Sequence, residues 1–286
     1  MSLYNNKIIL IGGSGFLGSN LSKTLESNSM EVFSTSSSML NLLDLKDDNI
    51  LKEINRSHNC TIIFFSALTP DKGKDVNTFN LNIKMAQNFL KNVEDLDDNN
   101  HMIYISSDAV YSLDLENIEN KSKPEPTDLY SSMHLTREIM FKDQFKNNLT
   151  ILRPTLIYGF GDTHNSYGPN RYFKQMIEKN EINVFGEGLD VRDHLYVKDL
   201  CEMIRIIIKK KILGTYNLAS GHSISYIDLS NIFKGLFPDV NINKIPVNNK
   251  KTVRFFNVKE FLNKINYNPS DLEKNIIEYA SMLKIR

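Results

Sequence analysis

Apolar residues in the first half of the chain follow two alternating rhythms. Continuous runs occupy 7–11, 61–65, 101–106 and 149–152, and a shorter one spans 31–34. Between them apolar positions recur at helical spacing: Phe16, Leu17, Leu21 and Leu25 over 16–27, a short stretch at 50–54, and Phe79, Leu81, Ile83, Met85, Phe89 and Leu90 over 76–93. A further helix is predicted over 130–145. A short apolar run reads as a buried strand, and the three-to-four spacing reads as a helix laid across it. Their alternation predicts an α/β fold of Rossmann type, a doubly wound parallel sheet covered on both faces.

After Gly159 the rhythm changes. Residues 161–170 are rich in Gly, Asp and Asn and read as a loop. Helices are expected at 172–179, 197–210, 226–236 and after Pro269, with a strand at 215–218. The expected organisation is a Rossmann domain over 1–160 and a smaller C-terminal substrate lobe over 161–286, with 191–220 returning to the sheet.

Composition narrows the function classes. Thirty-four Lys and Arg balance thirty-four Asp and Glu, so no basic excess points to nucleic acid. The two cysteines, Cys60 and Cys201, stand alone in apolar stretches, which fits a reducing, cytoplasmic setting and gives no thiolate metal site. No metal is expected. The apolar run nearest the start, 8–11, is too short for a membrane span.

The segment Gly12-Gly13-Ser14-Gly15-Phe16-Leu17-Gly18 lies between the first strand and the first helix. Glycines there allow a tight turn and let backbone N–H groups meet a pyrophosphate at the helix N-terminus. Dinucleotide binding follows as the expectation. NAD ordinarily finds an acid at the end of the second strand. Here Glu31 stands at that strand's start, and its end reads Ser34-Thr35-Ser36. NADP is therefore slightly favoured over NAD, although no arginine stands there to hold a 2′-phosphate.

These residues, with several others, resemble the extended short-chain dehydrogenases, specifically the NAD-dependent epimerase/dehydratase group acting on nucleotide sugars. The likeness runs over nearly the whole chain: the glycine loop; Asp44-Leu45; Ser66-Ala67; Ile105-Ser106-Ser107-Asp108-Ala109-Val110-Tyr111; Tyr130; Leu152-Arg153-Pro154 with Tyr158-Gly159; residues 191–197; Tyr216-Asn217-Leu218-Ala219-Ser220-Gly221; and Arg254. The resemblance implies cofactor contacts from Gly12, Gly15, Phe16, Leu17, Gly18, Ser34, Asp44, Leu45, Ser66, Ala67, Tyr130, His134 and Pro154. It implies substrate contacts from Ser107, Asp108, Asn170, Arg171, Arg192 and Arg254, with guanidinium forks suited to a diphosphate. It makes Ser107, Tyr130 and His134 the catalytic set, Tyr130 exchanging a proton with the reacting oxygen as hydride moves.

Three positions depart from the family pattern. The lysine expected four residues after Tyr130 is His134, Ala109 stands where a dehydratase keeps glutamate, and Leu156 occupies a position often held by asparagine. An imidazole is mostly neutral at pH 7 and is expected to imitate the lysine only below about pH 6.5. Dehydration is the reaction least suited to this chain. Three readings stay open: reduction of a 4-keto nucleotide sugar with Tyr130 as proton donor, a 4-epimerase retaining NAD, and a dinucleotide-binding scaffold without turnover. Apolar residues beyond the sheet-facing stripe of helices 76–93 and 130–145, among them Met133, Met140 and Phe141, suggest a homodimer.

Overall fold

The apolar runs become strands in which every residue is out of water, which accounts for their lack of polar alternation. The computed structural model describes residues 4, 6–46, 48–93, 96–165, 167–248 and 250–285. In chain order the first half forms β1 (Ile8–Ile11), α1 (Phe16–Ser27), β2 (Val32–Ser34), α2 (Asn49–Asn55), β3 (Thr61–Phe64), α3 (Val76–Asn92) and β4 (His101–Ile105). A 3-10 turn (Asp108–Val110), β5 (Asn117–Ile118), α4 (Leu129–Gln144) and β6 (Leu149–Pro154) follow. Next come β7 (Leu156–Tyr158), α5 (Gly168–Lys179), β8 (Glu181–Phe185), β9 (Val191–Tyr196), α6 (Val197–Lys210) and β10 (Gly214–Leu218). The chain ends with β11 (Ser223–Ser225), α7 (Tyr226–Leu236), β12 (Asn241–Ile245), β13 (Phe255–Phe256), α8 (Lys259–Ile265) and α9 (Leu272–Met282).

These elements belong to two compact units. Unit 1 comprises Met1–Ser112, Lys123–Arg153 and Cys201–Tyr216, and unit 2 comprises Leu113–Ser122, Pro154–Leu200 and Asn217–Arg286. Unit 1 is built on a six-stranded sheet of order β10-β6-β4-β3-β1-β2. The pairs β1–β2, β1–β3, β3–β4 and β4–β6 are all parallel, so their carboxyl ends share one edge. β2 lies on one side of β1 and β3 on the other. At such a switch point the loops after the strands diverge and leave a crevice. This is the doubly wound Rossmann fold. Against one face an aromatic cluster seats α3 and α4: Phe64 lies 4.9 Å from Phe89 and 5.3 Å from Phe141, and Tyr104 stacks on Phe141 at 4.8 Å between ring centres.

Helix α4 begins at a capping box, with Asp128 Oδ1 accepting from Ser131 N at 2.7 Å and Ser131 Oγ from Asp128 N at 3.0 Å. Further along, Glu138 is wholly buried. It accepts from Arg153 Nε at 2.8 Å, Arg153 Nη2 at 2.5 Å and Ser106 Oγ at 2.7 Å. Arg153 Nη1 also donates to the Tyr111 hydroxyl at 2.8 Å. One carboxylate thus ties α4 to β6 and to the end of β4.

Unit 2 carries a three-stranded sheet of order β11-β9-β7 and the parallel pairs β8–β12 and β5–β13. Two expectations are corrected. Within 191–220 only β10 joins the large sheet, because β9 pairs instead with β7 and β11. The segment 161–170 is not loop throughout, since α5 starts at Gly168 with Pro169 in its first turn, where the missing N–H costs no hydrogen bond. No described helix is long and apolar enough to cross a membrane.

Three histidines are buried: His101 on β4, His134 on α4 and His194 on β9. Burial disfavours the imidazolium and pushes their pKa values down to about 4, about 3 and about 3 respectively, with Lys211 beside His101, Arg137 beside His134, and Arg192 and Arg171 beside His194 adding repulsion. The folded protein therefore keeps all three neutral, while the unfolded chain takes up protons near pH 6.5. Stability is full above that pH and falls as pH drops toward about 4, by about 1.4 kcal/mol per histidine for each unit. The urea midpoint is expected to fall between pH 7 and pH 5, with a shallower fall in His134→Gln. A midpoint flat over that range would contradict the burial of these rings.

Candidate active site

The glycine loop, β2 and the end of β3 converge at the carboxyl edge of the unit 1 sheet. Gly12 has φ +77°, and its N–H donates to Thr35 Oγ1 at 3.0 Å. A Cβ on Gly12 would lie 2.5 Å from Ser66 Oγ, one on Gly13 2.3 Å from Ser34 Oγ, and one on Gly18 2.4 Å from the Gly13 Cα. The structure thus brings Gly12, Gly18, Ser34 and Ser66 together, and the fold itself demands three of the loop's four glycines. Gly15 is different. A Cβ there would meet only the Gly12 carbonyl, at 3.8 Å. Gly15 caps α1 without a side-chain hydrogen bond, and the first turn, with Phe16 and Leu17, carries no acid. A bare backbone at an uncapped helix N-terminus fits a pyrophosphate.

The second strand's end offers hydroxyls and no carboxylate. Ser36 Oγ and Ser38 Oγ lie 2.7 Å apart, while Glu31 pairs with Lys7 at 3.6 Å at the strand's other end. Asp44 is exposed, with Lys46 Nζ at 3.7 Å, and Leu45 is half-buried against the core. The loop after β3 is held from α3. Asn82 accepts from Leu68 N at 2.9 Å and donates to the Leu68 carbonyl at 3.1 Å. Arg137 Nη1 donates to the Ser66 carbonyl, next to Ala67, at 2.8 Å.

Ser107 follows β4 and caps the 3-10 turn, accepting from Ala109 N at 3.1 Å, with buried Asp108 next to it. That turn packs on α4. Tyr130 lies in the first turn of α4, half-buried, and lines a shallow hollow with Leu68, Thr78, Asn82 and Met133. Its ring meets that of His134 edge-on, centres 4.8 Å apart. His134 Nδ1 lies 3.0 Å from the Tyr104 hydroxyl, and its Nε2 is buried without a hydrogen-bond partner among the described residues. Protonation of His134 near pH 6.5, expected to imitate a lysine, is corrected: burial holds the ring neutral down to about pH 3. Pro154 ends β6.

In unit 2 a bridge between Val191 and Val253 sets Arg192 and Arg254 at equivalent positions after it. Arg192 Nη1 donates to the carbonyls of Val191 and Thr252 at 2.8 and 3.0 Å, and Arg254 is buried over the Phe256 ring at 5.6 Å. Arg171 sits among the rings of Phe185, Tyr172 and Tyr226 at 4.9, 5.5 and 5.6 Å. Asn170 has a different task from the one expected. Its amide accepts from Gly159 N at 2.9 Å and donates to the Gly159 carbonyl at 3.3 Å and to Asp162 at 2.7 Å, so its hydrogen bonds are used within the chain.

Sequence reasoning missed Tyr104 and Arg137. The legible signal was a charged residue at 137 on the helical stripe Tyr130, His134, Arg137, Phe141, where an apolar side chain is expected. It also missed a groove in unit 2 lined by Ser220, His222, Phe256, Lys259 and Tyr267, whose residues have no common spacing.

A family model described as the NAD dependent epimerase/dehydratase family matches residues 8–219. The chain is 28% identical over 222 residues to GDP-6-deoxy-D-talose 4-dehydrogenase of Aggregatibacter actinomycetemcomitans, covering 75% of this chain and 74% of that protein. It is 23% identical over 253 residues to N-acetyl-alpha-D-glucosaminyl-diphospho-ditrans,octacis-undecaprenol 4-epimerase of Escherichia coli O157:H7, covering 84% and 70%. Among solved structures, an NAD-dependent NDP-hexosamine 5,6-dehydratase involved in tunicamycin biosynthesis superposes with a TM-score of 0.82 at 17% identity over 98% of each chain, a likeness of fold. The family match spans both the glycine loop and the Ser107–Tyr130 segment, and this chain belongs to the NAD dependent epimerase/dehydratase family.

Proposed function

We propose that this chain reduces the 4-keto group of a nucleotide-linked sugar, with NADP preferred over NAD. The reading is carried by the imidazole at position 134, buried and edge-on to the Tyr130 ring at 4.8 Å, where the family pattern has a lysine. With no fixed ammonium one turn away, Tyr130 is better suited to give a proton than to take one. A nicotinamide held at the glycine loop would supply the hydride. Ser107 holds the carbonyl oxygen by its hydroxyl, and Tyr130 passes its phenolic proton to that oxygen as the carbonyl becomes an alcohol. Arg192 and Arg254 are proposed ligands of the substrate diphosphate, and Asp108 and Arg171 further contacts. The relative named as a 4-dehydrogenase supports redox chemistry at this sugar position. The cofactor preference rests on the hydroxyl-lined end of β2. A cytoplasmic setting is supported by two free, buried thiols, Cys60 and Cys201. A 4-epimerase that retains NAD is the second reading, favoured by the 4-epimerase relative. Tightly held NAD released from the purified protein would select it.

Tyr130→Phe is expected to lower kcat on a keto-sugar nucleotide by about 10²–10⁴-fold while leaving the cofactor Kd within about twofold. Initial rates and calorimetric titration check both parts. Rates indifferent to the substitution would remove the tyrosine from the reaction, and no turnover by the parent on any keto-sugar nucleotide would point to a scaffold.

The two kinds of glycine separate binding from folding. Gly15→Ala is expected to leave the urea midpoint nearly unchanged and to weaken NADPH binding at least about tenfold. Gly18→Ala is expected to destabilise the fold, because its Cβ has no room beside Gly13. Unweakened binding by Gly15→Ala would refute the pyrophosphate assignment, and tighter NADH than NADPH binding would reverse the cofactor preference.

We also propose a homodimer formed through the outer face of α3 and α4. Met133 and Phe141 are buried within unit 1 and do not serve it, but Val76, Leu129 and Ile139 are exposed and Met140 is half-buried. Light scattering at micromolar concentration is expected to give twice the 32.9 kDa chain mass. Ile139→Glu is expected to shift the mass toward the monomer. A parent protein of single chain mass would exclude the dimer.

A further inference from the structure

Ser107 and Tyr130 come to the site from different elements, one from the loop after β4 and the other from the first turn of α4. To act on one carbonyl they must reach the same oxygen atom, and a misplacement of about 1 Å can cost about 10²-fold in rate. The short segment that carries Ser107 is held on both sides by one buried ion pair. Before it, Ser106 Oγ donates to Glu138 Oε1 at 2.7 Å. After it, the Tyr111 hydroxyl accepts from Arg153 Nη1 at 2.8 Å, and the Tyr111 ring lies 5.0 Å from the same guanidinium. Glu138 belongs to α4, the helix that carries Tyr130, and its two oxygens accept from Arg153 Nε and Nη2 at 2.8 and 2.5 Å. All four side chains are out of water. Between the two ties, Ser107 Oγ accepts from Ala109 N at 3.1 Å, so the hydroxyl takes its place from the turn that the ties hold.

Stability alone does not call for this chemistry, because apolar side chains of the same volume hold a fold about as well as a buried pair. What the pair adds is direction. A guanidinium fork meets a carboxylate in a fixed, two-point geometry, and each partner makes one further hydrogen bond to a residue that brackets the 3-10 turn. We propose that Glu138 and Arg153 are positioning residues that act through Ser106 and Tyr111 to set the Ser107 hydroxyl where it and Tyr130 reach one substrate oxygen. The inference rests on the roles proposed above for Ser107 and Tyr130, but on neither the direction of the reaction nor the identity of the sugar. It assigns the pair an effect on kcat and none on cofactor binding.

The test uses two full-length double variants. Ser106→Ala with Tyr111→Phe cuts both ties and leaves the ion pair intact. Glu138→Leu with Arg153→Met removes the pair and both ties together, so that neither charge stays buried alone. Each is expected to lower kcat on a keto-sugar nucleotide by about 10–10²-fold, with KM and the NADPH Kd within about threefold of the parent. In ¹⁵N spectra the Ala109 amide, which reports on Ser107 Oγ, is expected to shift and to exchange faster with solvent, while the amides of β4 keep their protection. A purely structural pair would lower the urea midpoint and leave kcat and the Ala109 amide as they are, and that result would overturn the proposal. So would a loss of NADPH binding as large as the loss in kcat. Should one variant fail to fold, the other decides. Failure of both would make the pair a requirement of folding and overturn the proposal as well. A parent with no turnover on any keto-sugar nucleotide would sink the proposed reaction, while the Ala109 amide would still decide whether the pair sets Ser107.

Discussion

The arrangement of the site depends on a carboxylate and a guanidinium taken out of water together. Glu138 and Arg153 meet in a two-point pair at 2.8 and 2.5 Å, and Ser106 fills a further acceptor position on the carboxylate. Such a pair adds little net stability compared with apolar residues of the same volume, but removing one partner costs about 3–5 kcal/mol because the other charge is left buried alone. The pair therefore acts chiefly as a constraint on geometry. A slip of α4 along the sheet would break it. With α4 fixed by this pair at one end and by the Asp128–Ser131 capping box at the other, Tyr130 and His134 have no freedom to drift along the helix axis.

Much of unit 1 was legible in the sequence because its strands are buried on both faces. Runs such as residues 8–11 and 61–64 leave no other reading for apolar side chains bounded by turns. The glycine loop was legible for the same kind of reason, since close approaches at Gly13 and Gly18 admit no side chain. Unit 2 was less so. Apart from β9 its strands are short and largely half-exposed, as in β8, where alternate residues point out, so five residues carry too little pattern to distinguish strand from loop. Asn170 shows another limit. Residue type and spacing make it a candidate ligand, but only the folded chain reveals that Gly159 and Asp162 occupy its amide. His134 shows a third, because spacing tells which residue replaces the lysine but not that burial holds it neutral.

The site also shows how a protein can place polar groups in a helix–sheet interface without leaving them idle. Tyr104 interrupts an apolar strand and Arg137 an apolar helical stripe, yet the phenol stacks on Phe141 at 4.8 Å and the guanidinium lies over Phe64 at 5.5 Å. Their carbon and ring surfaces pack as core, while their polar ends satisfy carbonyls and the imidazole. Hydrophobic patterning and polar networking are met by the same side chains.

The double hold on residues 66–68, by Asn82 from α3 and Arg137 from α4, bears on the rate at which a ligand is captured. Side chains already bound to the carbonyls and N–H of this loop fix its backbone before any encounter, so the entropy of ordering it is lost during folding and not on association. In the proposed site, capture then requires no ordering of residues 66–68, and differences in affinity among dinucleotides are expected on the dissociation rate, where the individual contacts are broken.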